Sequence, residues 1–405
     1  MSELQKAFSY IDAKSEAMKK LWIDISKIES PSEYKPGIDK VSELLADICK
    51  RSGLATKIIT FENSGNSLVA ETEHFTEKNN GVVLMGHMDT VHKLGTFKEP
   101  IVTEKDGFLY GPGVFDCKGG LIIAILVVNA LNASGYNKRP IKLFFTGDEE
   151  IGHRFSDHGE VIINELKGAA AVFNCESGPI DGRLAVGRKS SYVFEINIKG
   201  IAAHSGNDPD KGRSSILEAS HKIIELEKLT DIDGTGTTVN CGVISGGTVS
   251  NAIPGNCKIG VNIRFKSESQ IAPTINAVKK IVEKSYVQGT HSTISSYNQP
   301  EAPMTPNDKN MKLFNHYAEV SASLGYERNE PYFAGGGSDA VFAYRLGIPV
   351  LCQTGVRGEN HHTLQERAEI ISLVQRAKIL TRAILELPED LWLITLNDEN
   401  ETVNK

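Results

Sequence analysis

Apolar residues recur at helical spacing over 3–30 and 37–52, with Pro31 and Pro36 punctuating the gap. Short strand patterns follow at 58–61 and 67–70. Gly81-Val82-Val83-Leu84-Met85-Gly86 is then a nearly unbroken apolar run, as carried by a strand buried on both faces of a sheet. Residues 119–133 are apolar almost all round, which predicts a helix enclosed by other elements. Strand 141–146, a helix near 157–167 and strand 170–175 continue the alternation. This order predicts an α/β fold, a mainly parallel sheet with helices on both faces.

The style of the chain changes near residue 190. Residues 192–198, Tyr-Val-Phe-Glu-Ile-Asn-Ile, alternate apolar and polar, as a strand with one solvated face does. Helix 213–228, strands 238–245 and 257–265, helix 270–285 and strand 292–298 follow. That β-α-β-β-α-β order predicts a ferredoxin-like α+β unit, two helices on one side of a small sheet. Beyond Pro300 the buried style returns with helix 308–324, the apolar segment 348–352 and a closing helix near 370–386. The tail 397–405 is polar and expected to fray. The expected organisation is a catalytic domain made of 1–188 and 300–405, interrupted by an inserted domain at 189–299.

Composition narrows the functional classes. A chain of 405 residues is long enough for two domains with ample cores. Its net charge of −7, with no basic stripe, argues against a nucleic-acid partner, whose phosphates require clustered Lys and Arg. The longest apolar run, 121–128, is too short to cross a membrane, and the charged start of the chain does not read as a secretory signal. Six scattered cysteines without a CxxC pair read as reduced thiols of a cytoplasmic protein.

Polar clusters stand just past several apolar strands. His87-Met88-Asp89 follows 81–86, Asp148-Glu149-Glu150 follows 141–146, and Glu176 ends 170–175. Asp116 lies in the glycine-rich segment 111–120, where glycines allow a sharp turn and the coming helix favours a carboxylate. Far downstream, His361 and His362 precede Glu366. Oxygen and nitrogen donors converging from separate strand ends suit a metal site, with one carboxylate left over to handle protons. At i and i+2 in extended chain, His87 and Asp89 share a side, so Asp89 can hold a metal-binding imidazole. The adjacent Glu149 and Glu150 can diverge, one to metal and one to water. Singly, each motif has a bland reading: a surface turn, a capping Asp, a solvated acidic run. Their joint occurrence at successive strand ends points to metal chemistry, and the glycine-rich segment lacks the spacing of a nucleotide cradle.

His87-Met88-Asp89-Thr90-Val91, Gly113-Val114-Phe115-Asp116-Cys117-Lys118-Gly119-Gly120 and Gly147-Asp148-Glu149-Glu150-Ile151-Gly152 resemble the signatures of the co-catalytic di-zinc peptidases. That family includes carboxypeptidase G, acetylornithine deacetylase, succinyl-diaminopimelate desuccinylase, aminoacylases and several dipeptidases. The resemblance runs over nearly the whole chain. Through Gly200-Ile201-Ala202-Ala203-His204-Ser205-Gly206 and Gly335-Gly336-Gly337-Ser338-Asp339 it is nearest to the carboxypeptidase G-like members. It implies two divalent ions, zinc first, with manganese or cobalt as alternatives. Asp116 would bridge them, His87 and Glu176 would complete one ion's ligands, and Glu150 and His362 the other's. Of the adjacent histidines, His362 fits the family's spacing to a following Glu better than His361. Glu149 would be the general base, with Asp89 orienting His87. His204 would reach across a dimer interface to stabilise the oxyanion, which implies a homodimer whose inserted domain is a lid and dimerisation module.

Asn251, Arg264, Arg183 and the amides around Gly336 would meet the substrate's carboxylate. One departure bears on specificity: where glutamate-releasing relatives carry basic residues after the inserted domain's last strand, this chain has Asn298-Gln299-Pro300. The implied activity is hydrolysis of an amide bond beside a free carboxylate. It belongs to an exopeptidase (carboxypeptidase or dipeptidase) or, with the same site, an N-acyl amino acid deacylase. A two-metal phosphoesterase would want more cationic residues than Lys118 and Arg154, and a non-catalytic relative would have lost the base or a ligand.

Overall fold

The computed structural model describes residues 1–405 except 73–74, 77–79, 155, 297–301, 327, 390 and 392–405. The polar tail 397–405 and Asn298-Gln299-Pro300 lie outside the described residues. Contacts divide the chain into two units. Met1–Val186, Pro306–Tyr332 and Ser338–Lys405 form one; Gly187–Thr305 and Phe333–Gly337 form the other. A boundary drawn at 299 does not anticipate the return of Phe333–Gly337 to the second unit. It follows from the Lys189 N–H donating to the Ala334 carbonyl (3.0 Å) and the Arg188 guanidinium donating to the Gly336 and Gly337 carbonyls (3.3 and 2.6 Å).

One eight-stranded sheet runs in the order Ala55–Ile59, Ser67–Glu71, Ile141–Thr146, Gly81–His87, Ala169–Asn174, Val350–Cys352, Leu184–Arg188, Pro331–Ala334. Its middle is parallel, with Gly81–His87 between Ile141–Thr146 and Ala169–Asn174, and the latter beside Val350–Cys352. Antiparallel pairs flank this centre. The three central strands are buried at every residue, which is why they read as unbroken apolar runs. Their side chains still part to opposite faces. Val82, Leu84, Leu143 and Phe173 join the core around helix Lys118–Ser134, while Val83, Met85, Phe144 and Val172 are buried outside that cluster. Helix Lys118–Ser134 can be apolar all round because helices Glu3–Ser26 and Ile371–Leu385 pack on it as well as the sheet. Each fully buried Leu or Ile on it contributes about 1.5–3 kcal/mol by leaving water.

The first helix ends at Ser26, earlier than its apolar spacing predicts. Residues 30–32 are taken instead by the loop after Gly81–His87. The Thr90 N–H donates to the Ser30 carbonyl (2.9 Å), the Ser32 N–H to the Thr90 carbonyl (3.1 Å) and the Ser30 hydroxyl to the Met88 carbonyl (2.8 Å). Because the central strands are parallel and in register, with His87 opposite Thr146, their C-terminal ends open on one edge. That edge is where open α/β sheets hold ligands. A smaller sheet, in the order Thr103–Lys105, Phe108–Tyr110, Arg367–Glu369, Arg357–Glu359, Gly178–Pro179, brings the late chain back to the early one.

The second unit holds four antiparallel strands in the order Thr238–Gly246, Asn256–Phe265, Ser190–Lys199, His291–Ser296. Helices Ser215–Glu227 and Ile271–Glu283 complete a β-α-β-β-α-β chain order. Phe194, Ile196 and Ile198 pack with Ala219 and Leu226 of one helix and Val278 and Val282 of the other, while Val193, Glu195 and Asn197 face the other side half-buried. No helix among the described residues is long and apolar enough to cross a membrane.

Candidate metal centre

His87, the buried last residue of its strand, is oriented by Asp89. Its Nδ1 lies 3.1 Å from the Asp89 backbone oxygen and 3.2 Å from Oδ1. This leaves Nε2 facing Asp116 Oδ1 at 3.2 Å and Glu176 Oε1 at 3.9 Å. The Asp89 carboxylate also accepts from the Glu149 and Glu150 N–H groups (3.2 and 3.1 Å) and the Ser32 hydroxyl (2.6 Å). One side chain thus ties the His87 loop to the short 3-10 turn Glu149–Ile151.

Asp116 presents its two oxygens to two different histidines: Oδ1 to His87 and Oδ2 to His362 Nε2 at 3.4 Å. His362 Nε2 also lies 3.1 Å from Glu150 Oε2. Two donor sets built of carboxylates and imidazoles result, His87–Glu149–Glu176 and Asp116–Glu150–His362, each with its ligand atoms within 4.8 Å of one another; His87, Asp116 and the Cys117 thiol are grouped as closely. The His361 ring packs instead toward Phe115, 5.9 Å between centroids.

The Asp116 loop is shaped from far along the chain. Pairing of Arg367–Glu369 with Phe108–Tyr110 brings the preceding residue, Glu366, against it. The buried Glu366 carboxylate accepts from the Gly113, Phe115 and Asp116 N–H groups (3.2, 3.0 and 3.0 Å) and pairs with His92 (3.2 Å). Glu366→Ala should therefore weaken metal binding about 10–100-fold, the usual cost of losing a group that orients a ligand. Chelator competition reads this, and unchanged affinity would mean that the loop holds Asp116 unaided.

Five carboxylates and two imidazoles converge here, and their titration reflects the crowding. Burial, then the Glu176, Asp339 and Glu150 carboxylates, pushes Glu149 well above the usual range; burial and Asp116 push Glu150 up to about 7. Asp116 is held low in spite of burial, by hydrogen bonds from His362 and His87. Burial disfavours charge on His87, but Cys117 and the hydrogen bonds to Asp116 and Asp89 outweigh it and raise its pKa well above the ordinary value. Hydrogen bonds to Asp116 and Glu150 lift His362 to about 10. Acids crowded enough to raise one another's pKa make a place for cations, and carboxylate oxygen with imidazole nitrogen suits Zn, Mn or Co. The residues fit a pair of divalent ions. Near neutral pH the His362 nitrogen that faces Asp116 and Glu150 carries a proton, so an ion that took its place should release protons. Affinity should rise as pH climbs toward about 10. Calorimetry in buffers of different ionisation heat counts the protons; none released would contradict this assignment of ligands.

Residues 83–386, which span both donor sets, match the model of peptidase family M20/M25/M40. The chain belongs to this family. It is 28% identical over 330 residues to carboxypeptidase G2 of Pseudomonas sp. (strain RS-16), covering 80% of this chain and 77% of that protein. It is 24% identical over 381 residues to succinyl-diaminopimelate desuccinylase of Rickettsia felis, covering 87% and 96%. A tripeptidase structure from Staphylococcus aureus shares the fold with a TM-score of 0.74 at 22% identity, over 91% of this chain and 96% of that one. As an M20/M25/M40 member, the protein is a hydrolase of the metallopeptidase class.

Other positions in this M20-family chain fall as follows. In the second unit Ala203–His204 pairs with Ala252–Ile253, and the Asn251 carbonyl accepts from the Ser205 N–H and hydroxyl (3.0 and 2.9 Å). Nδ1 of the exposed His204 accepts from the Gly206 and Asn207 N–H groups (3.1 and 3.0 Å), so the neutral ring carries its proton on Nε2. Arg264 donates to Asn262 (3.1 Å) and has no carboxylate partner among the described residues; burial lowers its pKa. Lys189 is depressed by burial and by Lys266 and Arg264, which marks a cationic cluster. Arg183 is tied to Asp181 (2.8 Å) and lies over Tyr332 (4.9 Å), not against the donor sets. Gly336 offers its carbonyl to Arg188. Lys118 donates to the Ile28 carbonyl (2.7 Å), and burial brings its pKa down to about 7. His92, His153 and His158, given no role from sequence, each meet an acid: Glu366, Asp148 with Asp339, and Asp148. The pairings of His92 with Glu366 and of His153 with Asp339 span 274 and 186 residues and have no local signature.

Proposed function

We propose that this hydrolase is an exopeptidase, a carboxypeptidase or dipeptidase, that cleaves an amide bond beside a free carboxylate with the help of two divalent ions, zinc first. The observation that carries the reading is the divided carboxylate of Asp116, one oxygen to His87 and the other to His362. Asp116, His87 and Glu176 would hold one ion, and Asp116, Glu150 and His362 the other. Bound there, such ions lower the pKa of a water and polarise the scissile carbonyl. Glu149 takes a proton from the attacking water and returns it to the leaving amine. Asp89 sets the spacing of base and ligands, because it holds His87 and both glutamate amides. His204, reaching across a dimer as the family resemblance implies, would donate to the developing oxyanion in the other copy's site. Arg264, in its cationic cluster, Asn251 and the amides around Gly336 receive the substrate carboxylate. Arg183 is an outer contact for which Asp181 competes.

The same reading makes the protein a homodimer, with the second unit as lid and dimerisation module. Support comes from strand Thr238–Gly246, an edge of its sheet. Its Val243 and Ile244 are exposed, as are Ile216, Leu217 and Ile224 of helix Ser215–Glu227, which packs beside it. An open edge with apolar side chains is a surface that a second copy covers. A cytoplasmic setting is supported by six cysteine thiols, five of them buried.

An N-acyl amino acid deacylase is the second reading, supported by the likeness to the desuccinylase over 87% of the chain. Amine release should be followed from dipeptides, C-terminal peptides, and N-acetyl and N-succinyl amino acids, with Zn or Mn and after chelation. Metal-dependent release from peptides alone supports the exopeptidase, and release from acyl amino acids alone supports the deacylase. Silence across the panel, with metal bound, rejects both.

A further inference from the structure

We propose that His153 is a positioning residue: by bridging Asp148 and Asp339 it clamps the loop that carries Glu149 and Glu150. The inference rests on the reading of Glu149 as base and Glu150 as ligand, and adds what keeps them in place.

The loop leaves strand Ile141–Thr146, makes the 3-10 turn Glu149–Ile151 and closes where the His153 N–H donates to the Asp148 carbonyl (3.2 Å). Gly152 and His153 are both left-handed, φ +62° and +56°, a conformation that a Cβ disfavours and that contacts must maintain at His153. Those contacts are two carboxylates. His153 Nδ1 lies 2.7 Å from Asp148 Oδ1, and Nε2 lies 2.7 Å from Asp339 Oδ1. A ring with carboxylate oxygen at both nitrogens donates from both, as an imidazolium. Burial opposes that charge, but Asp339 and the hydrogen bonds to both acids raise the pKa well above the ordinary histidine value.

Each acid is itself fixed. Asp148 accepts from the Ser156 hydroxyl (2.7 Å), and its Oδ1 lies 2.8 Å from Nδ1 of the buried His158, whose ring stacks on Phe61 at 3.7 Å. Buried Asp339 accepts from the Thr146 hydroxyl at 2.9 Å through its other oxygen. Both ends of the loop, Thr146 and His153, are therefore tied to one carboxylate far along the chain. Asp148, His153 and His158 do not form a third metal site as placed. Their 2.7–2.8 Å separations are hydrogen bonds, whereas two ligands on one ion, each at about 2.0–2.2 Å in tetrahedral array, stand about 3.3–3.6 Å apart.

A clamp of this kind acts on the placement of the base more than on substrate binding. His153→Leu should lower kcat about 10–100-fold with KM within about 3-fold and metal content close to the parent's. The protein should melt at a lower temperature, because two buried carboxylates lose their partner, but still be folded at the assay temperature. His153→Gln, which keeps one donor, should recover part of the loss. The double variant with Asp339→Asn should be little worse than the worse single one, because both break the same bridge. Unchanged kcat, or a loss wholly explained by missing metal or unfolded protein, overturns the inference. Should His153→Leu fail to fold, Thr146→Val removes the other tie to Asp339 and carries the same test on kcat. Glu149→Ala, run in parallel, separates the layers. If it stays active, the reading of the base fails and this inference with it. If it is inactive while His153→Leu is fully active, only the clamp fails.

Discussion

Glu149→Gln should lower kcat by about 100- to 10,000-fold, the usual worth of a positioned general base, with both ions retained. The variant keeps the side chain's shape, and its backbone amide stays on Asp89 as before. What it loses is an oxygen that can take up a proton. Metal retention is the informative half of the experiment, because the Glu149 carboxylate also lies within ligand distance of His87 and Glu176. Loss of one ion per chain would make Glu149 a ligand. Full activity would remove it from the chemistry. Only a large fall in kcat with the metal content unchanged fits a base.

Asp116→Ala should cost more than any other single ligand change: no measurable turnover, and metal content falling from about two ions per chain to less than one. The argument is geometric. His87 and His362 each face a different oxygen of this carboxylate, so in the proposed assignment its removal takes a ligand from both ions at once. It also removes hydrogen bonds that keep both imidazoles in place, leaving His87 to Asp89 and Glu176 and His362 to Glu150. His362→Ala, which touches one set only, is the control and should leave about one ion. Metal analysis after exhaustive dialysis reads the difference. If Asp116→Ala retains one full ion, Asp116 is an ordinary ligand and the shared-carboxylate reading fails.

Much of this arrangement is legible along the chain because its causes are local. A strand buried on both faces must be apolar throughout, so Gly81–His87, Ile141–Thr146 and Ala169–Asn174 announce a parallel core. Polar residues directly after such runs have only the C-terminal edge of the sheet to occupy, which marks His87, Glu149, Glu150 and Glu176 as a group. The half-exposed alternation of Ser190–Lys199 likewise shows where the second kind of sheet begins. Helix Glu3–Ser26 is instructive because it stops early. Its apolar spacing continues, but Ser30 and Ser32 are drawn to the loop after His87, a partner that no local period reveals.

Sequence by itself determined the central strands, the long helices, their alternation and the residue types that chemistry would need, since periodicity and turn residues act within a few positions; the short strands of the smaller sheet it did not show. Only the tertiary structure decided which groups meet. Asp116 shares itself between His87 and His362, Glu366 gathers the amides of the Asp116 loop, and His153 stands between Asp148 and Asp339. It also tied Arg183 to Asp181 and set His361 beside Phe115. The physical reason is that local periodicity carries no information on side-chain meeting points. A side-chain contact requires a few tenths of an ångström, and whether its partners are two residues apart, as Arg183 and Asp181 are, or some 250, as Asp116 and Glu366 are, it forms only once strand register and the paths between strands have fixed the backbone.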